Sequence, residues 1–160
     1  MNHIKENWDC RAIASEVTLH YISEKKPKNK ISITSPEEAA GLLWDIFPKE
    51  QMELKERFCL ILLDNAKHCL GWSVTSIGGK TATVVDTSEV VTIALLGAAQ
   101  SVIISHNHPS GVLRPSMADL NLTRKLTRAL SYLGITLEDH IILNKNSFYS
   151  FKAHGDLSHV

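Results

Sequence analysis

Two histidines stand two positions apart in Ser105-His106-Asn107-His108, directly after the apolar run Val102-Ile103-Ile104. In extended chain, side chains two apart point to the same face. His106 and His108 can therefore aim both imidazoles at one point. Asp119 follows eleven positions after His108. The stretch between, Pro109 to Pro115, is rich in Pro, Ser and Gly, which suits a loop folding back over a strand end. Two neutral imidazoles and one carboxylate make a zinc-binding set with a fourth position left to water. Zinc in such a site lowers the pKa of that water toward about 7. Plainer readings stand beside this one. Each histidine can be structural or simply exposed. Ser116-x-x-Asp119 also spells a helix capping box, with Ser116 as N-cap and Asp119 reaching back to a backbone N–H.

Two other chemistries fit less well. The letters His-Asn-His suggest an HNH nuclease, but that motif is dispersed over a hairpin and a helix rather than contiguous. A zinc deaminase needs His-x-Glu and a later Pro-Cys-x-x-Cys, and the chain has neither.

The elements that must position these residues are legible in outline. Ser35-Pro36-Glu37-Glu38 is a helix start with a capping box and Pro at the first turn. Ala39, Leu42, Leu43, Ile46 and Phe47 continue it at helical spacing. Arg57 to Asp64 reads as a buried strand, and Cys69 to Ile77 as its hairpin partner across Asn65-Ala66-Lys67-His68. Further short strands are expected over Glu16 to Ile22 and Thr81 to Val85. Thr87 opens a helix expected to reach Gln100, and Val102 to Ile104 is a short buried strand. Ser116 opens the next helix, with the stripe Leu122, Leu126, Ala129, Leu130 and Leu133 and a stop at Gly134. Asp139 to Leu143 and Phe148 to Phe151 form a closing hairpin.

Composition sets the outer limits. The chain has 160 residues, 44% hydrophobic and 21% charged, which suits one globular domain. Seventeen basic residues balance seventeen acidic ones. That balance gives no general nucleic-acid footprint. The cluster Arg124, Lys125 and Arg128 reads as one helix's solvated face. Cys10, Cys59 and Cys69 are too few for a disulfide framework, so a reducing, cytoplasmic setting is expected. No signal peptide or membrane span is expected either.

The run Ser105 to Gly111, then Pro115-Ser116-x-x-Asp119, then Asp139-His140-Ile141-Ile142, resembles the RadC-like JAB domain family, part of the JAMM/MPN metalloprotease-like superfamily. The superfamily pattern is an upstream Glu, then His-x-His, seven residues, Ser, two residues and Asp, and the chain matches it in full. Weaker similarity covers Glu56 to Phe151, including Leu62-Leu63-Asp64 and Gly78-Gly79. The resemblance implies a single α/β domain of JAB/MPN type, with a mixed central sheet flanked by helices. Residues 1–34 are then an N-terminal extension and 35–160 the domain. Longer RadC relatives also carry a helix-hairpin-helix region, for which this chain is expected to have no room.

The resemblance also implies roles. His106, His108 and Asp119 would bind Zn2+. Ser116 would hydrogen-bond the oxyanion, and an upstream Glu would act as general base. Glu56 is preferred for that base because it immediately precedes an apolar strand, as the family's glutamate does. Glu89 is the other candidate, although at a helix start it also suits the dipole. Asp139-His140 reads as a structural hydrogen-bonding pair, with a supporting position behind the metal as the other option for His140. The implied function is a zinc metallopeptidase cleaving an amide or isopeptide bond in a peptide or protein substrate. A DNA repair or recombination factor and a non-catalytic MPN scaffold are the alternatives. The strand from Cys69 to Thr83 could serve as a pairing edge in a homo-oligomer.

Overall fold

The computed structural model describes residues 30–78 and 85–159. The strand expected over Glu16 to Ile22, and nearly all of that over Thr81 to Val85, lie outside the described residues. The elements are α1 (Pro36–Ile46), β1 (Arg57–Leu63), β2 (Cys69–Ile77), α2 (Thr87–Leu96), β3 (Ser101–Asn107), α3 (Met117–Ser131), β4 (Thr136–Leu143) and β5 (Phe148–Ser150). Short 3-10 turns follow α1 at Lys49–Gln51 and close the described residues at Asp156–His159.

The strands form one mixed sheet in the order β2-β1-β3-β4-β5. Among the described strands only β3 and β4 run parallel, and α3 makes the crossover between them. The sheet is covered on both faces. Alternate β1 residues Cys59, Ile61 and Leu63 meet α1 through Ala39, Ala40 and Leu43. Phe58, Leu60 and Leu62 point the other way, toward Val90 and Ala94 of α2 and Leu126 and Leu130 of α3. Burial on both faces explains why β1 and β3 read as continuous apolar runs rather than alternating ones. Each large side chain so buried contributes roughly 1.5–3 kcal/mol. Cys59 is one of these core residues, and burial pushes its thiol up to about 12, as befits an inert core cysteine.

The local signals account for most element ends. Ser35 and Glu38 make the expected capping box at α1, and Ser116 and Asp119 make another at α3. Three expectations about extent need correction, the first being that β4 begins at Thr136 rather than Asp139. Helix α2 stops at Leu96 rather than Gln100, because Gly97 caps it and Ala98 turns left-handed at φ 51°. Strand β3 extends through Asn107 rather than ending at Ile104, so it carries His106 itself. Before α1, Ser32 bridges His68, and Ile33 is buried with its N–H on Lys67 O at 2.8 Å. No helix among the described residues is long and apolar enough to cross a membrane.

Candidate metal centre

The site lies where β3 ends. His106 and Asn107 pair with Ile142 and Leu143 of β4, and Phe58 of β1 lies opposite His106. Because β1 is antiparallel to β3, the residues just before Phe58 emerge at the same end of the sheet as His108. That is where Glu56 stands.

Alternation along β3 turns His106 toward α3 and Asn107 toward the α1 side. His106 Nε2 lies 2.8 Å from His108 Nε2 and 3.1 Å from Asp119 Oδ1. His108 Nε2 lies 3.6 Å from Asp119 Oδ2. One ligand atom from each of His106, His108 and Asp119 falls within 4.8 Å of the others. Ligands about 2.0–2.1 Å from a tetrahedral zinc stand about 3.3 Å apart, so these spacings suit that ion.

The donor chemistry fits too. His108 Nδ1 donates to Val112 O at 2.5 Å. In the neutral ring this leaves Nε2 as a bare lone pair facing a carboxylate and a second imidazole. Such a cluster needs a cation, either a metal or a proton. The Asp119 hydrogen bond accordingly raises the His108 pKa against the opposing effect of burial, helped by the Val112 carbonyl and by the charges of Asp119 and Glu56. Burial alone would raise the Asp119 pKa, but the imidazoles of His106 and His108 set against its carboxylate outweigh it. The Asp119 carboxyl is held well below the usual range.

Ser116 fixes Asp119 from the other side. Its backbone N–H and its hydroxyl each donate to Asp119 Oδ2 at 2.6 Å, and the Asp119 N–H donates back to Ser116 Oγ at 3.2 Å. The capping box and the metal set thus use the same carboxylate: Oδ2 is tied to the helix start while Oδ1 turns to His106.

Of the two upstream glutamates, Glu56 is half-buried, and its charge acts on His108. Glu89 is an exposed residue in the first turn of α2, where it faces the positive end of that helix. Asp139 and His140 do not form a side-chain pair. As strand neighbours they point to opposite faces. Asp139 accepts from Ser150 Oγ, from Lys152 N–H and from the backbone N–H of His140. The His140 ring instead stands 2.9 Å from His106 Nδ1 and 2.6 Å from Thr123 Oγ1.

Thr123 was invisible to spacing arguments, since it sits on a helix with no neighbouring motif. The grip of Asn107 on the segment around Glu56 was equally hidden. Pro115 and Met117, on either side of Ser116, line an open groove of about 600 Å3 together with Leu113, Arg114 and Tyr149.

The α/β sheet with a His-His-Asp cluster at the end of β3 places the molecule in the JAB/MPN class. The sequence profile described as the RadC-like JAB domain matches residues 33–156. UPF0758 proteins of Microcystis aeruginosa and Aquifex aeolicus are 37% and 36% identical over 134 and 133 residues, covering 84% and 83% of this chain. One from Methanosarcina mazei is 39% identical over 131 residues, or 82% of the chain. The chain belongs to the RadC-like JAB domain family. It spans slightly more than half the length of these relatives, 54–56%.

Proposed function

We propose that this domain is a zinc-dependent hydrolase that cleaves an amide or isopeptide bond in a peptide or protein. The observation that carries the reading is the convergence of His106, His108 and Asp119 within 4.8 Å, with the charge of Glu56 acting on His108. Zinc held there supplies positive charge at the scissile carbonyl and a water acidified toward a pKa of about 7.

The chain's own residues do the rest. Glu56 takes the proton of the attacking water and passes it to the leaving amine. The Ser116 hydroxyl turns from Asp119 to the carbonyl oxygen as charge develops there. Asp119 Oδ2 keeps the Ser116 backbone N–H throughout, so the ligand stays oriented. The groove beside Ser116 gives an extended peptide a place to lie. The free thiols of Cys59 and Cys69 suit a reducing, cytoplasmic setting. Balanced charge lends a nucleic-acid role no electrostatic support.

The test is Glu56→Gln assayed on a panel of peptide and isopeptide substrates. Zinc content should stay unchanged while turnover falls about 10²- to 10⁴-fold. Glu89→Gln should retain activity. Full turnover by Glu56→Gln, or its loss in Glu89→Gln alone, would contradict the assignment.

A further inference from the structure

Four buried groups run in an unbroken line from helix α3 to the metal cluster. Thr123 Oγ1 lies 2.6 Å from Asp119 O and 2.6 Å from His140 Nδ1. His140 Nε2 lies 2.9 Å from His106 Nδ1. Thr123 and His140 have no exposed surface, and His106 almost none. The Phe151 ring stacks on His140 at 4.5 Å between centroids, which fixes the plane of the imidazole.

We infer that the Thr123 hydroxyl sets the tautomer of His106 through His140, so that His106 presents a bare Nε2 to the metal. The inference rests on the zinc reading proposed above. It follows from counting hydrogens. A hydroxyl carries one hydrogen, and a carbonyl oxygen can only accept. The Thr123 hydrogen therefore goes to Asp119 O. Toward His140 the hydroxyl can then only accept, so His140 Nδ1 carries a hydrogen. With its ring hydrogen on Nδ1, His140 presents a bare Nε2 to His106. His106 must donate to it from Nδ1. With its ring hydrogen on Nδ1, His106 has its lone pair on Nε2, which faces His108 Nε2 and Asp119 Oδ1 at 2.8 and 3.1 Å.

The reverse chain is the competitor. There Thr123 donates to His140, His140 donates from Nε2 to His106, and His106 places its hydrogen on Nε2 toward Asp119. That order gives up the bond to the Asp119 carbonyl and blocks the metal-binding nitrogen. The choice between the two orders is made by a threonine hydroxyl that itself touches no ligand nitrogen of the cluster. Thr123 and His140 are thus positioning residues. A partner on the second nitrogen of a ligating histidine typically changes metal affinity by about 10- to 100-fold.

The experiment reads ring tautomers directly, by long-range 15N–1H correlation of the histidine side chains in zinc-free protein at mildly alkaline pH. Wild type should show His106 and His140 both protonated at Nδ1. Thr123→Val, nearly isosteric, removes the acceptor and should move the His140 hydrogen to Nε2. Zinc affinity, measured by competition with a chromogenic chelator, should fall about 10- to 100-fold in Thr123→Val. Thr123→Ser should restore both the tautomers and the affinity. A wild-type His106 protonated at Nε2 would overturn the inference. So would a Thr123→Val protein with unchanged tautomers, or one with zinc affinity within about twofold of wild type against the expected loss. Failure of wild type to take up zinc would instead overturn the proposed function, because the tautomers are read without the metal.

Discussion

The Arg57 backbone N–H donates to Asn107 Oδ1 at 2.9 Å, joining the first residue of β1 to the last residue of β3. The amide nitrogen of the same Asn107 donates to Lys55 O and Met52 O at 2.9 and 2.7 Å. Glu56 lies between Lys55 and Arg57, so the residue separating the two site histidines grips the chain on both sides of the candidate base. Asn107→Ala leaves these buried or half-buried backbone groups without partners, at about 1–3 kcal/mol each and not fully additive. The expected result is a loss of about 2–4 kcal/mol in denaturant unfolding, with turnover falling while bound zinc is retained. Stability within about 0.5 kcal/mol of wild type would contradict this.

Ser116→Ala removes one hydroxyl with two duties. As an N-cap it stabilises α3, so its loss should cost about 0.5–2 kcal/mol. As a donor near the carbonyl oxygen it should also lower turnover, by about 10²-fold or more. Zinc affinity should fall much less, because the backbone N–H of residue 116 still holds Asp119 Oδ2. Denaturant unfolding, chelator competition and steady-state assays in parallel separate the three effects.

Asp64 governs a pH dependence far from the centre. It closes the β1–β2 hairpin by accepting from the His68 and Ala66 backbone N–H groups, both at 2.9 Å, and from the His68 ring and Lys30. The His68 backbone bond comes first in lowering its pKa to about 2, against the opposing effect of burial and with help from the His68 ring, Lys30 and Ala66. A carboxyl depressed in the folded state stabilises the fold above its ordinary value of 3.8. That contribution is lost as pH falls through the folded value. Asp64→Asn should therefore lower Tm at neutral pH, and its curve should converge on wild type as pH falls from about 4 to about 2. A Tm difference that stayed constant through this window would rule the account out.

What the sequence made legible was what local spacing encodes. His106 and His108 share a face because they are two apart, and Ser116 and Asp119 meet because a helix start brings them together. The strand and helix identities followed from apolar periodicity and caps. The stop of α2 was obscured because the chain stays largely apolar from Val90 to Ile104, and only the Gly97 cap and the left-handed Ala98 mark the turn. The outer layer of the site was hidden for a different reason. His140 reaches His106 through the parallel register that sets Ile104 beside His140. Thr123 joins them only because α3 packs across that pair. Such meetings depend on tertiary register and leave no mark in spacing. The adjacency of Asp139 and His140 suggested a pair, yet strand alternation separates them.

The central claim is that His106, His108 and Asp119 hold one metal ion. Elemental analysis of protein stripped with chelator, reloaded with zinc at neutral pH and freed of excess tests it most directly, with His106→Ala/His108→Ala as the comparison. The account predicts about one zinc per wild-type chain and none in the double variant. No retained zinc in wild type, or equal zinc in both proteins, would contradict it.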